Sequence, residues 1–213
     1  MEIERYVCNP FRENAYLICD EPTKKAVLVD PGFYTEVEFF KLSSFVRENG
    51  YSVSRILNTH LHLDHCIGNG FAEEAFGIGA ECGLGDLPLA EHIEDQARMF
   101  GLEIPCKIPV PKKFLKENDE IHVGNIHLKV LEVPGHSPGS LAFYSSDGFV
   151  FSGDVVFTGG GYGRTDLPGG DEEILMNSIH RKLFRLPGET RIFCGHGPDT
   201  IVARELAVWK SRL

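Results

Sequence analysis

The chain has 213 residues and carries 31 acidic against 21 basic ones, a net charge of −10, with 42% hydrophobic and 24% charged residues. That charge repels phosphate backbones, and the longest basic runs (Pro111-Lys112-Lys113 and His180-Arg181-Lys182) are too short to offset it, which excludes nucleic acid as a partner. The length suits one domain over 1–213 with an unstapled core; no apolar run approaches a bilayer span and the N-terminal residues lack a secretory pattern, so a soluble, cytoplasmic protein with no membrane partner is expected.

In chain order, NAYLICD (14–20) and KAVLVDPG (25–32) are β-forming runs separated by turn chemistry, which predicts a hairpin. Phe39, Leu42, Phe45 and Val46 recur at helical spacing between Thr35 and Asn49, with Gly50 placed to end the helix. A strand returns over 53–59 (VSRILNT), and its exit is His60-Leu61-His62-Leu63-Asp64-His65. A helix over 65–76 would hold Asp64 and His65 in its first turn despite Gly68 and Gly70.

Residues 83–114 are the least regular stretch. Asp86 is placed to cap a helix with Pro88 in its first turn, Leu89, Ile93, Ala97 and Phe100 on one face and Gly101 at its end, followed by a proline-rich extended path. Strands resume over 126–133, 140–146 and 148–157, the last two joined through Asp147-Gly148. A helix from Asp171 to Leu186 and a short buried strand over 190–194 complete the pattern. Hairpins mixed with strand–helix units predict sheets covered by helices.

Six cysteines (Cys8, Cys19, Cys66, Cys82, Cys106 and Cys194) contain no C-x-x-C pair and read mostly as small buried thiols; Cys66 and Cys194 stand out for lying close to histidines of interest. Besides His60, His62, Asp64 and His65, four places put a polar residue beside glycine at the end of an apolar run: Asp30 in VDPG, His136 in VPGHSPGS, Asp154 in FSGDVVF and His196 in FCGHGP. Glycine permits close approach that a Cβ would block, and loops at strand ends are where scaffolds mount reactive groups. Five histidines and two carboxylates in this context suffice for two metal ions. In an extended exit His60 and His62 point to one side, while Asp64 and His65 turn toward a neighbouring point, so each pair could serve one ion. Taken alone, His136 or His196 reads as a turn residue, but a solvated loop has no use for the density of H-x-H-x-D-H. His92, His122, His127 and His180 lack glycine neighbours and read as surface or packing residues.

THLHLDH, PGHSPGS, SGD and CGHG, in this order from about Asn9 to Pro198, resemble the metallo-β-lactamase superfamily, and GRTDLPGGD with GHGP resembles its short glyoxalase-II-like hydrolases. The resemblance implies an α/β (α+β) fold, an αββα sandwich of two mixed sheets flanked by helices, with a metal site along one edge. By motif position it implies that His60, His62 and His136 bind one ion, that Asp64, His65 and His196 bind the other, that Asp154 bridges and that Asp30 holds the cluster loop. Two divalent ions are implied, zinc foremost, with iron and manganese as alternatives that imidazole and carboxylate also suit. Oxygen-reducing di-iron relatives carry a carboxylate in place of His62, and antibiotic-hydrolysing ones commonly a cysteine in place of Asp154. The implied activity is therefore hydrolysis of a hydroxyacyl-glutathione-like thioester, or similar small acyl ester, by a metal-bound hydroxide, with Asp64 also accepting a hydrogen bond from the attacking water. Mono-iron persulfide dioxygenases share H-x-H-x-D-H and G-R-T-D and form the alternative; a structural metal site is disfavoured because the cluster has no cysteine.

Arg164 stands where relatives have a basic substrate-binding residue, and its fork of donors would grip a substrate carboxylate. Little sequence follows His196, so the helical extension that builds much of the glutathione pocket in full-length glyoxalase II is missing from this sequence. Residues 83–114, with Phe100, Ile104 and Ile108 as apolar lining, are either a substitute wall or a passive insertion.

Overall fold

Tyr16 and Ile18 on one side of a single strand, and Ala15, Leu17 and Cys19 on its other side, belong to two different apolar clusters, so this strand is buried on both faces. It is β2 (Glu13–Asp20), and its doubly covered position explains why its sequence is nearly continuously apolar rather than alternating. The structure, a computed structural model, describes residues 1–211.

Two six-stranded mixed sheets face each other. The first runs in the order β1 (Glu2–Cys8), β2, β3 (Lys25–Val29), β4 (Ser52–Leu57), β5 (Ala80–Gly83) and β6 (Lys113–Leu115), with the first three antiparallel and the pairs from β3 onward parallel. The second runs β12 (Thr200–Ile201), β11 (Arg191–Cys194), β10 (Phe149–Gly153), β9 (Leu141–Ser145), β8 (Ile126–Glu132) and β7 (Glu120–Val123), with β10 and β11 parallel and the other pairs antiparallel. Tyr16, Val27, Val29 and Leu57 of the first sheet pack on Phe143, Phe151 and Phe193 of the second. Helices α1 (Glu36–Glu48) and α3 (Asn69–Phe76) cover the outside of the first sheet through Phe39, Leu42 and Ala72. Helices α6 (Glu172–Arg181) and α7 (Val202–Lys210) cover the second through Leu175, Ile179 and Val202. The result is the expected αββα sandwich. Among the described residues no helix is long and apolar enough to cross a membrane.

Local chemistry sets the boundaries. Helix α1 opens with a reciprocal capping box, Thr35 Oγ1 accepting from the Glu38 amide and Glu38 accepting from the Thr35 amide, and ends before Gly50 at φ +68°. The Asp147-Gly148 turn joins β9 to β10 as its sequence predicts, with Gly148 at φ +93°.

Four expectations need correction. The helix predicted over 65–76 is two helices, α2 (Leu63–Cys66) and α3, because Gly68 is pressed onto the 31–33 turn with its amide donating to Pro31 O at 2.9 Å. The helix after Asp86 is likewise two pieces, α4 (Leu87–Glu91) and α5 (Ile93–Phe100), meeting at His92, and Asp86 makes no capping bond because its carboxylate is used elsewhere. The helix from Asp171 stops at Arg181 and gives way to a tighter turn over Leu183–Arg185. Ile104 and Ile108 pack against the cluster of Leu61, Leu63 and Ile67 and line neither cavity beside the candidate ligands. The short strands β5, β6 and β7, the half-exposed strand β1 and helix α7 were not predicted at all.

Phe151 is buried between the sheets, stacked on Phe193 at 5.0 Å and packed on Tyr16 at 5.1 Å. Phe151→Ala is expected to cost about 3–5 kcal/mol in a urea unfolding titration, whereas Val37→Ala on the exposed side of α1 should stay within ~0.5 kcal/mol.

Candidate metal centre

Strand direction brings the candidate residues to one edge. Strands β3 and β4 are parallel, so their exits, leading to Asp30 and to the His60–His65 run, lie at the same end of the first sheet. Strands β10 and β11 are parallel, and β8 is antiparallel to β9, which is antiparallel to β10, so the exits leading to His136, Asp154 and His196 share one end of the second sheet. The two ends are tied across the sandwich. The Asn14 amide donates to Gly195 O at 2.8 Å, its side chain to Cys194 O at 3.0 Å and Gly197 O at 2.8 Å, and the Tyr16 hydroxyl to Cys194 O at 2.6 Å.

All seven candidate ligands converge. His136 Nε2 lies 2.8 Å from His62 Nδ1 and 3.2 Å from His60 Nε2. Three nitrogens around a tetrahedral zinc ion stand ~3.3 Å apart, so this spacing fits the set to one ion. His196 Nε2 lies 3.1 Å and His65 Nε2 3.9 Å from Asp64 Oδ2. Asp154 sits between the groups: Oδ1 is 3.3 Å from His65 Nε2, and Oδ2 is 3.5 Å from His196 Nε2 and 3.7 Å from His136 Nε2. His65 Nε2 and Asp154 Oδ1 are buried without a hydrogen-bond partner, a debt that a cation would settle. Gly195 is required here because a Cβ would strike Asp154 and His65.

The outer nitrogens fix the rings. His136 Nδ1–H donates to Arg164 O at 2.7 Å and His196 Nδ1–H to Phe11 O at 3.1 Å, which leaves each Nε2 lone pair turned inward. Behind the cluster, Asp30 accepts from the Thr59 amide and hydroxyl, both at 2.6 Å, and from His65 Nδ1 at 3.0 Å, while adopting φ +48°, a region that non-glycine residues rarely enter.

Three further residues were not singled out for the site from the sequence. Asp86 is fully buried and accepts from the Leu61 amide at 2.9 Å, the Ser137 hydroxyl at 2.8 Å and the Gly139 amide at 2.6 Å, joining the His60–His62 segment to the His136 loop. Gln96 on α5 accepts from the Leu63 amide at 3.0 Å and donates to Leu61 O at 3.2 Å. Glu13, on β2, is fully buried 3.8 Å from His65 Nδ1 with both oxygens unpartnered. Glu13 stands ahead of the apolar run of β2 beside Arg12 and Asn14, and like Asp86 and Gln96 it has no local sequence mark for the site.

A cavity of about 380 Å³ lies over the cluster, lined by His62, Asp64, His136, Asp154 and His196 together with Phe11, Phe100 and Arg164. The Arg164 guanidinium is exposed and forked onto Asp166, both bonds at 2.6 Å. His92, His122 and His127 are exposed, and His180 packs on Phe184 and Trp209. Burial pushes the thiol of Cys66 far up and that of Cys194 up to about 12, so neither supplies a thiolate.

The family model for the metallo-beta-lactamase superfamily matches residues 8–196. The probable metallo-hydrolase YqgX of Bacillus subtilis is 35% identical over 96% of this chain and 94% of its own length. The hydroxyacylglutathione hydrolase GloC of Haemophilus influenzae is 34% identical over 96% and 95%. The human mitochondrial persulfide dioxygenase ETHE1 is 31% identical over 85% of this chain and 62% of its own. Among solved structures, TTHA1623 in a di-iron-bound form superposes with a TM-score of 0.83 at 40% identity, covering 96% of this chain and 98% of that one.

Charge is unevenly distributed among the imidazoles. Burial, reinforced by the neighbouring histidines, holds His60 well below the usual imidazole range, and burial with His136 beside it lowers His62 to about 3. Burial also opposes a charge on His65, but Asp154, Asp64 and Asp30 together outweigh it and hold its pKa well above the usual value; at His196 burial again opposes the charge, and the hydrogen bond to Asp64 with the charge of Asp154 raises the pKa. Without metal, His60 and His62 are thus neutral at pH 7 while His65 keeps a proton that a cation must displace. Zn²⁺ loading at pH 7 is expected to release protons, and the apparent affinity to rise with pH, as read by calorimetry in two buffers of different ionisation enthalpy. Buffer-independent heats would show that the carboxylates do not protonate this ring.

Proposed function

The chain belongs to the metallo-beta-lactamase superfamily, and on that premise we propose that it is a binuclear metal-dependent hydrolase, zinc-loaded, that cleaves a small acyl thioester. The observation that carries this reading is Asp154, whose two oxygens face both ligand groups. His60, His62 and His136 would hold one ion, Asp64, His65 and His196 the other, with Asp154 shared. Two such ions supply a water of lowered pKa, from 15.7 toward ~7, and a Lewis acid for the substrate carbonyl.

The chain's own residues do the rest. Asp64, on the cavity wall, would accept a hydrogen bond from the attacking water. Phe11 and Phe100, edge to face at 5.1 Å, would narrow the approach. Arg164 would exchange Asp166 for a substrate carboxylate. Apart from Arg164, every titratable residue lining this cavity belongs to the ligand set, so no spare acid stands ready to protonate a leaving group. A thiolate, with a conjugate acid near pKa ~8.5, leaves without that help far more readily than an alkoxide, which favours the thioester.

One observation favours a second reading. His60, His65 and Asp154 form a two-histidine, one-carboxylate group with ligand atoms within 4.8 Å of one another, the donor set of non-haem iron(II) oxygenases. Metal quantification of protein purified without added metal, with thioester hydrolysis and oxygen uptake on glutathione persulfide assayed on the same sample, separates the two: about two zinc ions with hydrolysis support the first, one iron with oxygen uptake the second.

Asp154→Ala should remove the shared ligand and reduce hydrolysis by at least about a hundredfold; wild-type activity with two ions retained would refute the assignment. Arg164→Ala should raise KM roughly tenfold or more with little change in kcat, and a purely lowered kcat would assign it another role.

A further inference from the structure

Beside the cavity over the cluster lies a second one of about 470 Å³. His62, Gln96, Phe100 and Leu167 line both, so the two adjoin at a candidate metal ligand. The second cavity is walled by Leu89, Met99 and Phe100 of the α4–α5 segment on one side and by Pro138 and Leu167 on the other.

Apart from His62, whose Nε2 is buried without a partner, its side-chain polar groups are already occupied. The Gln96 amide is spent on backbone, accepting from Leu63 N at 3.0 Å and donating to Leu61 O at 3.2 Å and Leu89 O at 3.0 Å. At the rim, the Asp95 carboxylate is paired with Arg98 at 2.7 Å and His92 at 3.3 Å. No lysine or arginine lines this cavity. A ligand bearing carboxylates or phosphates would find no counter-charge in it, and burying such groups unpaired is costly. Met99 and Phe100 are 61% and 38% exposed, a large apolar surface that packing within the chain leaves uncovered. Through Gln96 the wall is bolted to the backbone on either side of His62, so its distance from the cluster is fixed.

We propose that this cavity takes an uncharged hydrocarbon limb of the substrate while the scissile carbonyl lies over the cluster, so that the α4–α5 segment is a specificity wall selecting for that limb, with Arg164 left to a carboxylate elsewhere on the substrate. The inference rests on the hydrolase reading above.

The test uses the Zn²⁺-loaded full chain and two thioester series: acetyl to octanoyl on one constant small thiol, and a constant acetyl group on methyl to hexyl thiols. In one series kcat/KM should rise roughly fourfold per added methylene over the first several carbons, and the series that rises identifies the limb. Met99→Asp should flatten the rising series, and Met99→Leu should restore it. Hydrolysis that is indifferent to chain length in both series, or a slope that survives Met99→Asp, overturns the inference and leaves the hydrolase reading standing. A zinc-loaded protein that cleaves no thioester of either series overturns both.

Discussion

Two buried carboxylates hold the exit of β4 in place, and the geometry of the centre depends on them. Asp30 grips this segment at Thr59 and His65 from the first sheet, and Asp86 grips it at Leu61 while holding the His136 loop through Ser137 and Gly139. A strand exit is otherwise free to choose among many backbone conformations, and imidazoles ~3 Å apart repel or desolvate one another unless something prevents their separation. The carboxylates bear a desolvation cost, visible in the raised pKa of Asp86, and the three hydrogen bonds that each accepts offset it. Asp30 also bears the strain of a left-handed backbone, the kind of local cost that persists where the surroundings overdetermine it.

The fold and the ligand candidates were legible for different reasons. Each candidate ligand carries its own local mark, a polar residue beside glycine after an apolar run, and the spacing H-x-H-x-D-H concentrates that mark. Of the two supports, Asp30 shares that mark and Asp86 does not. Asp86 lies 25 to 53 residues from its partners and shares its local signature, an aspartate ahead of a proline, with an ordinary helix cap. Only the tertiary structure tells the two apart. Strand β2 could be read because both its faces are buried, whereas β1 alternates half-exposed charges and β5, β6 and β7 span three or four residues, too few for a period of two to emerge. Gly68 illustrates a break whose cause, the turn at 31–33, lies elsewhere in the chain.

The centre joins two environments with opposed preferences. On the cluster side, carboxylates and imidazoles gather charge in a confined space; on the α4–α5 side, leucine, methionine and phenylalanine offer nothing to a charge. A reacting carbonyl at their junction would meet a strong field on one face and a low-dielectric wall on the other. The same field acts more strongly there than in open water.

The bonds from Asn14 and Tyr16 to the backbone at 194–197 connect positions 178 to 183 residues apart. Closing so long a loop is entropically unfavourable until the two sheets have already met over their apolar faces. During synthesis the ligand set is therefore incomplete until His196 and the strand before it have left the ribosome and docked. Of the two ligand groups, the one that includes His196 is the last to be completed.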